Sequence, residues 1–212
     1  MPARPLGLAP GVPAEATGQD ARKYATTNPV VRRLMARWLG RVRAAVGSDP
    51  GSVIDVGVGE GLALERLLPG RPAVGVELRL GKLAAARGRL DGLRPVCADA
   101  GMLPFPAAAA DTVTCIELLE HLVTPEPAVA ELARITGSRC VVSVPWEPWF
   151  RLGNLGRAKN LRAWGNDPEH VQWFRASSLR RLLETGFAEV EVRPCFPWLV
   201  AVARRPHSSH RS

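Results

Sequence analysis

Lysine is nearly missing from this chain. Lys23, Lys82 and Lys159 are the only lysines among 28 lysines and arginines, so the formal net charge of +8 is carried almost wholly by arginine. With abundant alanine, glycine and proline, that skew is also what a GC-rich genome produces, and it does not by itself indicate an anionic partner. No apolar run approaches the roughly 20 residues that cross a bilayer, so no membrane span is expected. The N-terminus lacks the hydrophobic core of a secretory signal, and the expected location is the cytoplasm. Cysteine is sparse: Cys97, Cys115, Cys140 and Cys195 lie far apart. That spacing suits neither a disulfide framework nor a zinc site, and the four read as reduced, buried small hydrophobes. The one tyrosine, Tyr24, stands just before the first helical pattern, where it could close over a ligand.

What is present is enough for one domain: 212 residues, 46% of them hydrophobic. Residues 1–20 are rich in Pro, Gly and Ala without periodicity and read as a disordered arm; 207–212 read as a tail. Asn28-Pro29 starts a helix whose stripe is Val30, Val31, Leu34, Met35, Trp38, Leu39 and Val42. Strands are then expected at Ser52–Val56, Ala73–Glu77, Pro95–Cys97, Thr112–Ile116 and Cys140–Val144, with helices between them. Such alternation with continuously apolar strands indicates a parallel sheet covered on both faces. The ending departs from it. After a helix over Ser177–Glu184, capped by serine and closed at Gly186, strands at Ala188–Arg193 and Leu199–Arg204 are joined by only a few residues. So short a link forces an antiparallel pair.

The most informative stretch is Val53-Ile-Asp-Val-Gly-Val-Gly-Glu-Gly61, an apolar strand running into glycines at alternate positions. Glycine has no Cβ to hold a ligand away, so such a turn lets the backbone come close to a nucleotide-like molecule. A phosphate-binding dinucleotide loop needs G-x-G-x-x-G, and Leu62 occupies its last position, which argues against a nicotinamide-dependent oxidoreductase. Acids close four successive strands or their sequels: Asp55, Glu77, Asp99 and Glu117. In an open α/β sheet the ligand sits outside the carboxyl ends of the strands, where all four fall.

The spacing Asp55, Gly57, Gly59, Gly61 resembles the first motif of class I S-adenosylmethionine-dependent methyltransferases of the type 11 kind. The likeness extends over roughly residues 25–204 and through Leu103-Pro-Phe-Pro…Asp111-Thr-Val. It implies an α/β, Rossmann-like class I methyltransferase fold with a seven-stranded, mostly parallel sheet and a C-terminal antiparallel hairpin. The domain would span 21–206. It also implies S-adenosyl-L-methionine as cofactor: Asp55, Gly57, Gly59, Gly61 and Glu117 line its site, Glu77 accepts the ribose hydroxyls, and Asp99 accepts the adenine amino group. Asp111 is expected to anchor a turn.

Cys115-Ile-Glu-Leu-Leu-Glu-His-Leu122 adds Glu117, Glu120 and His121 at i, i+3, i+4, a spacing that gathers side chains if a helix starts at the strand end. This resembles two metal-dependent O-methyltransferase groups, one acting on catechols in the ubiquinone pathway, the other on the terminal ribose 2′-oxygen of small RNAs. The second group adds a histidine before the penultimate helix, and His170 stands in that place, although Pro168 replaces its usual companion. Glu117, Glu120, His121 and His170 are therefore the candidate metal ligands, with His121 and His170 the candidate acid–base residues. Two imidazoles among the ligands favour Mn²⁺, Fe²⁺, Co²⁺ or Zn²⁺ over Mg²⁺. A chelated diol would lose its proton more readily and be held in line with the methyl group.

Residues 145–174 have no clear periodicity and carry Trp146, Trp149, Trp164 and Trp173 among Arg151, Arg157, Lys159 and Arg162. They read as a substrate lid suited to an aromatic or anionic small-molecule acceptor. The leading expectation is O-methylation of a catechol or sugar vicinal diol. RNA terminal 2′-O-methylation ranks second, since no RNA-binding module accompanies the domain. Metal-independent N- or C-methylation of a small molecule, and a non-catalytic cofactor-fold binding protein, are the remaining readings.

Overall fold

Helix α1 (Pro29–Val46) starts where the sequence places it. Asn28 Oδ1 accepts the N–H groups of Val30 (2.9 Å) and Val31 (3.2 Å), and Pro29 fills the first helical position, where a missing N–H costs nothing. The computed structural model describes residues 24–146 and 171–205. The arm at 1–20, the tail at 207–212 and the greater part of the lid, with His170, lie outside the described residues.

After α1 come β1 (Val53–Val56), α2 (Leu62–Leu67), β2 (Ala73–Glu77), α3 (Leu80–Arg89), β3 (Leu93–Cys97), β4 (Ala110–Ile116), α4 (Glu126–Ile135), β5 (Thr136–Pro145), α5 (Ala176–Leu183), β6 (Glu189–Cys195) and β7 (Trp198–Arg204). The seven strands form one sheet in the order β3-β2-β1-β4-β5-β7-β6. All neighbours are parallel except those of β7, which is antiparallel to both β5 and β6. This is the expected Rossmann-like arrangement, with the order reversing between β1 and β4.

Two apolar layers cover the sheet. On one face Trp38, Val42 and Val46 of α1, Leu64 of α2 and Leu83 and Ala86 of α3 pack against Val53, Val141 and Val200. On the other, Val129 and Leu132 of α4 and Leu179 and Leu183 of α5 pack against Ile54, Val113, Val142 and Leu199. Period-2 alternation within doubly buried strands produces this division.

Several details differ from the sequence reading. Strand β5 is longer than Cys140–Val144 because it follows α4 without a loop; Thr136 ends the helix by donating from Oγ1 to Leu132 O at 2.6 Å. Helix α5 begins at Ala176, and its serine cap acts from inside: Ser178 Oγ accepts the Arg175 N–H at 2.9 Å. The β6–β7 link is only Phe196-Pro197, because both strands extend further than their apolar cores suggest. Of the cysteines, Cys115, Cys140 and Cys195 are buried, whereas Cys97 at the end of β3 is exposed.

Candidate functional site

The glycine turn grows out of β1 and is fastened to β2. Gly57 and Val58 both donate to Val76 O, at 2.8 and 2.9 Å, and Gly61 donates back to Val58 O at 2.9 Å. Gly57 and Gly61 do different work at the same left-handed backbone angles, φ +83° and +81°. A Cβ on Gly61 would stand 2.8 Å from Leu90 and 3.3 Å from the Ala86 backbone, so its bareness lets α2 lie close to α3. A Cβ on Gly57 would meet the Leu118 side chain at 2.9 Å, in the floor of the cleft. Gly57→Ala combines this clash with a conformation that costs an L-residue roughly 1–2 kcal/mol. It is expected to weaken S-adenosylhomocysteine binding by about 10-fold or more in calorimetry, with the far-ultraviolet spectrum unchanged.

The cleft beside this turn is lined by Val56, Val76, Leu78, Ala98, Ala100, Leu118 and Leu122, with Glu77 and Asp99 as its acids. A larger hollow at the opposite edge, under Pro69–Arg71, meets none of the strand-end acids; chemistry, not size, marks the site. Glu77 is held by two backbone amides: Gly59 N donates to Oε2 at 3.2 Å and Arg79 N to Oε1 at 2.9 Å. Asp99 Oδ1 accepts the Gly101 N–H at 2.8 Å, which closes the turn after β3 and fixes the carboxylate at the cleft wall. Asp55 sits one layer beneath. Its carboxyl is buried inside the sheet, where Thr114 Oγ1 donates to Oδ1 at 2.6 Å. Burial, opposed by the Thr114 bond and assisted by the nearby Glu77 charge, pushes its pKa up to about 6. Asp55 therefore joins β1 to β4 inside the sheet, beneath the turn.

At the end of β4 the expected helix over Glu117–His121 does not form. Glu117 takes a left-handed backbone (φ +54°), and only Leu119–His121 make a single 3-10 turn, so the i, i+3, i+4 geometry is not established. Glu117 Oε1 accepts the indole N–H of Trp198 at 2.8 Å. The Glu120 side chain is buried, while its backbone carbonyl accepts Val171 N (2.9 Å) and Gln172 N (3.1 Å), tying down the segment that leads into α5. Among the described residues no three His, Cys, Asp or Glu side chains are grouped to hold a metal ion. Glu117, Glu120 and His121 are thus not brought together as a ligand set, and His170 lies outside the described residues.

Other sequence signals find structural roles. The Leu103-Pro-Phe105 run is clamped by α4: Glu131 Oε2 accepts Leu103 N at 2.6 Å, and Arg134 donates to the carbonyls of Leu103 (2.9 Å) and Phe105 (2.5 Å). Asp111 anchors the amino edge by accepting Ser52 N at 2.9 Å and Ser52 Oγ at 2.7 Å. Tyr24 packs on the α1 face with the Arg66 guanidinium 4.6 Å from its ring centre. The hydrogen bonds not foreseen are those of Thr114, Ser143, Trp38 and Trp198. Polar Thr114 and Ser143 inside otherwise apolar strands were the available signal, since a buried hydroxyl needs a partner.

The comparisons agree with this geometry. A family model described as a methyltransferase domain matches residues 54–142, the stretch from β1 into β5. Demethylmenaquinone methyltransferase of Renibacterium salmoninarum is 28% identical over 87% of this chain and 87% of its own length. The Mycobacterium tuberculosis enzyme of the same name is 32% identical over 76% of this chain and 73% of its own length. In fold, magnesium protoporphyrin IX methyltransferase from Synechocystis PCC 6803, solved with bound S-adenosylhomocysteine, superposes with a TM-score of 0.64 at 18% identity, covering 90% of this chain and 95% of that one. Sheet order, glycine turn, strand-end acids and relatives converge: the chain belongs to the class I S-adenosylmethionine-dependent methyltransferases.

Proposed function

We propose that this enzyme transfers the methyl group of S-adenosylmethionine to a small, hydroxylated aromatic acceptor of the catechol or quinol kind. Glu77 would receive the ribose hydroxyls and Asp99 the adenine amino group, with Leu78 and Leu118 against the base. The cofactor supplies an electrophilic methyl on a sulfonium; the chain supplies orientation, acidic surroundings for a cation, and a place for the acceptor's proton. The observation that carries the acceptor class is the make-up of the cleft rim. Exposed apolar side chains recur along the carboxyl end of the sheet from one edge to the other: Leu78, which lines the cleft, and Leu80 after β2, Met102 after β3, Val123 after β4, and Phe196 at the β6–β7 tip, with Trp173 before α5. A rim of this kind suits a flat apolar ring better than a sugar or a polyanion. The relatives bearing the name demethylmenaquinone methyltransferase point the same way.

A metal-assisted O-methylation would need Glu117, Glu120, His121 and His170 around one ion. Among the described residues no three such side chains are grouped around one point. The test uses radiolabelled S-adenosylmethionine with 1,4-dihydroxynaphthalene, catechol and adenosine as acceptors, with and without a chelator. Labelled product from an aromatic diol, unaffected by chelation, is expected, and its NMR spectrum reads oxygen against ring carbon. Labelling of adenosine alone would overturn the aromatic assignment, and activity abolished by the chelator would restore the metal.

A further inference from the structure

We infer that the carboxyl end of the sheet docks this protein on the surface of an anionic phospholipid bilayer, with arginines at the phosphates and apolar loop tips among the acyl chains. The inference does not depend on the acceptor proposed above. Every large apolar side chain that is exposed among the described residues stands at this end of the molecule. Leu80, Met102 and Val123, between 54% and 70% exposed, follow β2, β3 and β4. Val30, 65% exposed, joins them from the first turn of α1. That helix runs against the strands: Trp38 bonds to Ser143 near the carboxyl end of β5, whereas the Val46 carbonyl accepts Arg139 near its start. Its first turn is therefore at the mouth.

Seven strands at about 4.8 Å spacing make this end roughly 30 Å wide, and the tips extend from Met102 on the β3 edge to Phe196 at the β6–β7 tip. One acceptor ring in the cleft beside Leu78 cannot cover them. Apolar side chains carried on separate loops across one end of a domain suit a plane, not a groove.

Charge is divided along the same axis. Helix α1 has five arginines and no acid, and Arg32, Arg33 and Arg37 are exposed on its mouth-side half. Arg79 stands beside Leu80 in the same way that Arg32 and Arg33 stand close to Val30. Among the described residues Glu126 is the one fully exposed acid near the mouth, while Glu77, Asp99 and Glu117 are half-buried at their strand ends. The other exposed acids, such as Asp49, Asp91 and Glu189, belong to the opposite end, where they offset its arginines, or, as Glu191, pair with Arg193 on the edge strand. A guanidinium beside an exposed aliphatic side chain fits the headgroup boundary, where one finds phosphate and the other hydrocarbon. Single-stranded nucleic acid would ask for flat rings beside the arginines, and Val30 and Leu80 offer none.

The test sediments the full chain with vesicles of phosphatidylcholine alone and of phosphatidylcholine mixed with phosphatidylglycerol. Binding to the mixed vesicles, and little to the neutral ones, is expected. Arg32→Ser/Arg33→Ser should weaken it roughly 25-fold, about fivefold for each charge near an anionic surface. The same loss of charge at the opposite end, in Arg87→Ser/Arg181→Ser, should change it less than about twofold, since those side chains stand beyond a Debye length from the bilayer. Leu80→Ser/Met102→Ser should weaken binding by about 10-fold or more, and by the same factor in high salt, where the arginine effect fades. S-adenosylhomocysteine affinity and the far-ultraviolet spectrum, unchanged in Arg32→Ser/Arg33→Ser, check that the fold is kept. No sedimentation with either vesicle, equal binding to both, or equal losses from the two arginine pairs would overturn the inference. Retention of RNA in place of vesicles would give the arginines to nucleic acid, and self-association lost in Leu80→Ser/Met102→Ser would give the tips to a second copy; either result overturns it. A protein that ignores vesicles yet methylates a soluble diol keeps its proposed function.

Discussion

Glu77→Ala is expected to weaken S-adenosylhomocysteine binding by at least about 100-fold, with the domain still folded. A ribose diol on this carboxylate would make two charge-assisted hydrogen bonds, each worth about 1.5–3 kcal/mol, so their joint loss would exceed a factor of about 100. The substitution also releases Gly59 N and Arg79 N, the two amides that Glu77 now fastens at the glycine turn and at the start of α3. Cost in binding, rather than in folding, follows from position: the side chain is only partly buried, at the open end of β2. Calorimetry on the parent, Glu77→Ala and Glu77→Gln checks it. The glutamine should recover part of the affinity, since its amide oxygen still accepts one hydroxyl. Equal affinity in all three would remove Glu77 from the cofactor site.

The second large effect concerns stability and pH. Asp55 titrates at about 6 in the folded chain against an ordinary value of 3.8. Between those values the folded state keeps a proton that the unfolded chain has lost. Stability from this group is therefore complete below pH 4, falls as the pH rises towards 6, and stays low above it. The upper size of the loss is on the order of 3 kcal/mol, from about 1.4 kcal/mol per pKa unit. Asp55→Asn cannot ionise and keeps an oxygen for the Thr114 hydroxyl. Urea denaturation is expected to show the variant gaining on the parent as the pH is raised from about 3.5, where the Asp55 contribution is nearly intact, to about 7.5, where it is lost. Glu131 and Asp111, both held below the ordinary carboxylate range by Arg134 and Ser52, act in the opposite sense and in both proteins. The difference between variant and parent therefore isolates Asp55. A parent and variant with parallel pH dependence would show that the buried carboxyl is not the source.

What the sequence revealed and what it hid follow from the range of the forces involved. The strands were legible because each is a short apolar run bounded by glycine, proline or charge, and the antiparallel ending because a tight link admits no crossover. The turn after β1 was legible because glycines at alternate positions follow an apolar run, and the proposal for Glu77 and Asp99 rests on their place at strand ends, where an open sheet carries its ligands. The segment Glu117–His121 was misread for a definite reason. Its spacing fits a helix, but the Glu117 amide is claimed by Ser143 of β5 and its carboxylate by Trp198 of β7, residues 26 and 81 positions away. Local periodicity contains no information about such distant partners. The same holds for Trp38: its place in the α1 stripe predicted burial, which is observed, but not the indole–hydroxyl bond to a strand 105 residues further on.

The reversal of strand order between β1 and β4 has a consequence for how such a molecule can change over evolutionary time. The proposed nucleoside contacts, Glu77 and Asp99, hang from β2 and β3 on one side of the reversal, whereas Glu117, Ser143 and Trp198 belong to β4, β5 and β7 on the other. The side-chain hydrogen bonds that cross the seam, Thr114 to Asp55 and Ser52 to Asp111, lie within the sheet and at its amino edge, away from the mouth. Substitutions that refit the acceptor half can therefore accumulate while the half that grips the shared cofactor stays as it is. Drift towards a new acceptor should leave its trace in β5 to β7 and the segment before α5, and spare the turn after β1.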